Sequence, residues 1–76
     1  KKAVFLTDYK SALQEMVQTD KESLTYDLVK EEGPAHDKTF TVNVVIDGII
    51  YGTGVGKSKK EAEQKAAYDA YQKRAK

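Results

Sequence analysis

Apolar side chains recur at Tyr9, Ala12, Leu13, Met16 and Val17. That spacing of i, i+3, i+4, i+7 and i+8 lines one side of a helix. Thr7 stands where an N-cap belongs, and Ser11, Gln14, Glu15 and Gln18 occupy the opposite side. After a polar connection at residues 19–23 the rhythm changes. Leu24, Tyr26 and Leu28 share one face of a β-prone stretch at 24–31. Phe40, Val42, Val44 and Ile46 then alternate with mostly polar neighbours across 38–46, the period of a half-buried strand. Gly33-Pro34 marks the loop between these two strands. Asp47-Gly48 is a two-residue hairpin signal, and residues 49–55 return as a third strand. Ser58 and Glu61 form an S-x-x-E capping box, so a closing helix runs from about 58 to 74. Its packing side is Ala62, Ala66, Ala67 and Ala70, small enough to let the helix lie close to a sheet.

The order α-β-β-β-α, with one antiparallel meander, predicts a two-layer α+β domain: a three-stranded antiparallel sheet with both helices on one face. The 76 residues make one small domain, which buries only about 60% of the surface of its unfolded chain. Residues 1–6 read as the end of a linker and 7–75 as the domain. A start at Lys-Lys, with no initiator methionine, suggests a piece of a longer protein. Gly52 and Gly54 fall within the third strand, where glycine marks a bulge or a close backbone approach. Gly56 relieves crowding where the last helix starts. A flexible strand-to-helix connection accounts for all three glycines as well.

There is no cysteine and one histidine, so neither disulfides nor a cysteine-based zinc site stabilises the fold. No apolar run approaches the ~18 residues of a membrane span, and the chain reads as soluble, with no membrane partner. Net charge is only +1, from 13 basic and 12 acidic residues, so local distribution matters more than the total. Lys57, Lys59 and Lys60 crowd the start of the last helix, where the dipole disfavours cations. Helix-terminal N–H groups plus ammonium groups make an anion site, and so compact a cluster suits a polyanion such as a nucleic acid backbone. The stretch GTGVGKS imitates a phosphate-binding P-loop, but residue 51, where the first glycine belongs, is Tyr, and a hairpin precedes it.

Two further segments offer polar chemistry. Ser11, Gln14 and Glu15 suit ribose hydroxyls and base edges, although on periodicity alone they are a solvated face. Pro34 stiffens its loop and presents Ala35 and His36, a shape able to enter a shallow groove. His36 has nothing at ligand spacing beside it, and a lone loop histidine is usually only solvated. Catalysis has little support. Glu31 and Glu32 are adjacent in the strand, point to opposite faces, and converge with no other carboxylate.

Taken together, DYKSALQE, EGPAHDKTF and GVGKSKKEAEQKAA resemble the three RNA-facing segments of the double-stranded RNA-binding domain, from about Asp8 to Arg74. They look most like the form at the carboxyl end of bacterial ribonuclease III. The resemblance implies that Ser11, Gln14 and Glu15 enter one minor groove and Pro34, Ala35 and His36 the next. Lys59 and Lys60, helped by Lys57, would straddle the phosphates between them, over about 16 bp of A-form duplex. Many relatives carry a further lysine four residues after the first of that pair. Here the position is Glu63, as in many ribonuclease III forms, which leaves one phosphate contact without its cation. The resemblance also implies a cytoplasmic, dimeric parent endoribonuclease whose Mg²⁺ sits in a separate catalytic domain. This fragment would bind double-stranded RNA as a monomer, without a cofactor of its own. A protein-interaction domain of the same fold is the alternative.

Overall fold

The computed structural model describes residues 9–74. Helix α1 spans Tyr9–Thr19, strands β1, β2 and β3 span Leu24–Glu32, Thr39–Ile46 and Ile49–Gly56, and helix α2 spans Lys59–Arg74. The sheet is an antiparallel meander in the order β1-β2-β3, as the sequence pattern predicts. The proposed linker at 1–6 and the Thr7 cap lie outside the described residues.

The central strand supplies the core. Val42, Val44 and Ile46 are buried, Phe40 is half-buried, and all four lie on the face the alternation assigns. Leu13 and Val17 from α1 and the four alanines of α2 complete one buried cluster. Both helices therefore stack on the same side of the sheet.

Leu28 does not join this core, against the sequence expectation. It is 42% exposed although it still pairs with Val42 on the edge strand; the register slips only beyond it, between Leu28 and Lys30. Val29 is the extra residue of that bulge, and the inward-outward alternation of β1 ends there.

The glycines of β3 are a packing requirement and not a flexible connection. A Cβ on Gly54 would stand 2.2 Å from the Ala66 nitrogen, and one on Gly52 would stand 2.5 Å from the Ala66 carbonyl oxygen. The backbone of α2 thus rests directly on the backbone of β3. A register shift between Val44 and Val45 also puts a bulge at this point of the sheet.

The Asp47-Gly48 turn forms with φ of 52° and 83°, the two positive angles that a two-residue type I′ hairpin needs. Asp47 also accepts from the Ser23 N–H at 2.8 Å, which anchors the turn to the start of β1. At the far end of α2, Arg74 pairs with Asp20 at 3.2 Å and with Glu22, and lies over the Tyr51 ring. These contacts tie the C-terminal end of α2 to the α1–β1 connection. Its N-terminal end is left facing the other way.

Candidate nucleic-acid interface

The start of α2 is built as the capping box predicts, with one difference. The Glu61 N–H donates to the Ser58 hydroxyl at 3.0 Å. The Glu61 carboxylate turns back one residue further than the usual box and accepts from the Lys57 N–H at 2.7 Å. That hydrogen bond, followed by the nearby Lys65 and Lys57 charges, holds the Glu61 carboxyl below the usual carboxylate range. Glu61 therefore offsets the dipole and leaves the lysines beside it free to face outward. Lys59 and Lys60 are exposed, and Lys60 carries no hydrogen bond or ion pair among the described residues.

Lys57 is placed differently. Its ammonium is held by the Asp37 carboxylate at 3.1 Å and the Thr39 hydroxyl at 3.3 Å. The β1–β2 loop folds into a turn in which the Asp37 N–H donates to the Pro34 carbonyl at 2.9 Å, with Ala35 and His36 at the tip. Gly33 leads into that turn at φ 101°, where a Cβ would meet the Asp37 carbonyl at 2.6 Å. Pro34, Ala35 and His36 are all exposed. Ala35, His36, Lys57 and Lys59 line a single shallow concavity.

Ser11, Gln14 and Glu15 are exposed on α1 and share a second depression with Lys10 and Tyr26. Lys10 reaches across to Glu63 of α2 at 2.5 Å, and its ammonium lies 5.1 Å from the centre of the Tyr26 ring. Burial pushes the Tyr26 phenol up to about 12, with the Glu63 charge adding to the effect. Glu31, beside the loop, pairs with Lys38 at 2.5 Å. The Lys38 hydrogen bond and charge, with a contribution from Lys59, hold the Glu31 carboxyl low.

The first two turns of α2 thus stand between the other two segments. They are bridged to α1 through Lys10–Glu63 and to the loop through Asp37–Lys57. The sequence pattern marks all nine exposed candidates but misses two residues that join the three segments, Lys10 and Asp37. Their pairings with Glu63 and Lys57 are long-range, and no local pattern marks them.

Comparisons with known proteins agree with this fold. A family model described as the double-stranded RNA binding motif matches residues 9–74. Ribonuclease 3 of Aster yellows witches'-broom phytoplasma is 47% identical over 75 residues, which are 99% of this chain and 32% of that protein. Ribonuclease 3 of Desulforamulus reducens is 54% identical over 66 residues, or 86% of this chain and 27% of that protein. The chain spans about a third of the length of these curated relatives. Among solved structures, Arabidopsis HYL1 superposes with a TM-score of 0.81 at 39% identity, covering 91% of this chain and 99% of that one. Dicer from Pichia stipitis gives 0.71 at 32% identity, over 87% of this chain and 32% of that one.

Proposed function

The chain belongs to the double-stranded RNA-binding motif family, and we infer that it binds duplex RNA as the substrate-binding module of a ribonuclease III-type endoribonuclease. It is a binding domain, and the cut belongs elsewhere in the parent. The observation that carries the reading is the order of the three segments. The lysine-bearing end of α2 lies between α1 and the β1–β2 loop and is bridged to both. A duplex RNA presents minor groove, major-groove phosphates and minor groove in that same order.

The roles follow from chemistry. Ser11, Gln14 and Glu15 meet 2′-hydroxyls and base edges in one minor groove, where a hydroxyl or amide can donate and accept. Pro34, Ala35 and His36 enter the next minor groove as a small, stiff tip. Lys59 and Lys60, with the helix N–H groups behind them, neutralise phosphates across the intervening major groove. Lys57, held at Asp37 and Thr39, stands beside them and adds its positive charge to the same patch.

Among the described residues no three His, Asp or Glu side chains converge where a metal ion would sit. In this reading the Mg²⁺ of the parent and its dimerisation belong to the catalytic domain, and this domain alone is a monomer. A cytoplasmic parent fits the same reading.

A titration of the 76-residue chain against a roughly 20 bp RNA duplex, the same-sequence DNA duplex and the single strands tests the reading. Preference for the RNA duplex, weakening with salt, is the expected result. Equal binding to DNA would reduce the lysines to a generic polyanion patch. No binding at high micromolar concentration would put a protein-interaction role first.

A further inference from the structure

We propose that Asp37 is a positioning residue that sets the selectivity of this domain for A-form duplex over other polyanions. The inference rests on the duplex-RNA reading and asks what fixes the spacing between its contact points. Two of those points, the loop tip and the start of α2, belong to different elements. Asp37 is where they meet.

A carboxylate amid lysines that face phosphate is a liability for affinity, since it repels the same polyanion. Its contacts show what it does instead. The Asp37 N–H closes the turn onto the Pro34 carbonyl, and its Oδ1 takes the Lys57 ammonium at 3.1 Å. Thr39 Oγ1 holds the same ammonium from the start of β2. Gly33 at φ 101° lets the chain pass close under the Asp37 carbonyl. One residue thus fastens the loop both to itself and to the segment that carries the phosphate-binding lysines. The pair is well exposed, with side chains 65% and 61% accessible, so its worth to folding is small. Its worth lies in the pre-set distance between Ala35-His36 and Lys59, which line one concavity.

Selectivity is a difference of affinities, and a rigid two-point gauge produces one. An A-form duplex offers a wide, shallow minor groove beside its phosphates, whereas the minor groove of B-form DNA is about 6 Å wide. A loop held at the A-form spacing binds RNA duplex without losing freedom on contact. A loosened loop contacts any polyanion that its lysines attract.

The test is Asp37→Asn in this chain, Lys57→Met, and the double variant, each titrated at one salt concentration with RNA duplex, DNA duplex and single-stranded RNA. Thermal melting confirms that each variant is folded. Asp37→Asn is expected to tighten binding to DNA and single strands while leaving RNA-duplex binding level or weaker. The RNA-to-DNA ratio then falls about three- to fivefold, the scale of one exposed ion pair. With Lys57→Met already in place, Asp37→Asn should leave the ratio unchanged, because the clamp is already open. A uniform rise for all three nucleic acids would make Asp37 a mere countercharge and overturn the proposal, as would additive changes in the double variant. If the unsubstituted chain shows no RNA preference, the duplex-RNA reading falls with it. A preference that persists in Asp37→Asn sinks only the role given to Asp37.

Discussion

Lys10 of α1 and Glu63 of α2 form an ion pair at 2.5 Å across the junction of the two helices. Glu63 stands where the resemblance implies a lysine in many relatives. Its carboxylate is directed at the neighbouring helix, so it acts in the link between α1 and α2.

Glu63→Gln should therefore lower stability by about 0.5–1 kcal/mol, the range for a partly exposed pair. In a Lys10→Met background the same change should cost almost nothing. Urea unfolding of the four proteins measures the coupling. An undiminished cost in the Lys10→Met background would show that the pair is incidental.

Lys60→Ala should weaken binding to every duplex sequence and reduce the salt slope of log K by about one unit. Lys60 has no partner among the described residues to lose, so the melting temperature should hold. Gln14→Ala should weaken binding with the slope nearly intact, because it touches no phosphate. A larger loss of slope for Gln14 than for Lys60 would reverse the two roles.

Gly54→Ala should destabilise the fold by at least about 2–3 kcal/mol, since its Cβ would meet the Ala66 backbone, which cannot move as a rotamer does. Gly48→Ala meets nothing within 4 Å and carries only the strain of φ 83°, about 1 kcal/mol. Calorimetry on the two variants should show a clear gap in melting temperature, with Gly54 the lower.

Tyr26 adds an alkaline limit. Burial raises its phenol from 10.0 to about 12, so the folded chain favours the neutral form. The stability this confers is complete below pH 10 and is lost as the pH rises through 12. The Tyr26 hydroxyl is buried without a hydrogen-bond partner among the described residues. Tyr26→Phe should thus match or exceed the parent's stability at pH 7 and show a shallower decline from pH 10 to 12. A steeper decline in the Phe variant would contradict the burial assigned to this ring.

The sequence showed most of the fold because its local and global signals agree. The alternation from Phe40 to Ile46, the Asp47-Gly48 turn and the alanine stripe of α2 each specify an element and its buried face together. It misled at Leu28, where the period-2 pairing holds but the side chain stays exposed on the edge strand, since a period marks a face and not how far the helices cover it. All nine candidate contact residues proved exposed, which a polar pattern can indicate. What it could not indicate was their mutual spacing. Asp37 and Lys57 lie 20 residues apart and Lys10 and Glu63 lie 53 apart, and surface ion pairs leave no mark in composition or period.

Where β3 carries Gly52 and Gly54, helix α2 rests on peptide groups, with no side chain between them. A side-chain seat can be re-tailored by a new rotamer or one methylene more or less. This seat has no such adjustment, because its atoms are those every residue shares. The height of Lys59 and Lys60 above the sheet is therefore set by the two glycines, and a side chain at either must push the helix away. Charge on the outer surface of α2 can vary widely while the place from which it is presented stays constant.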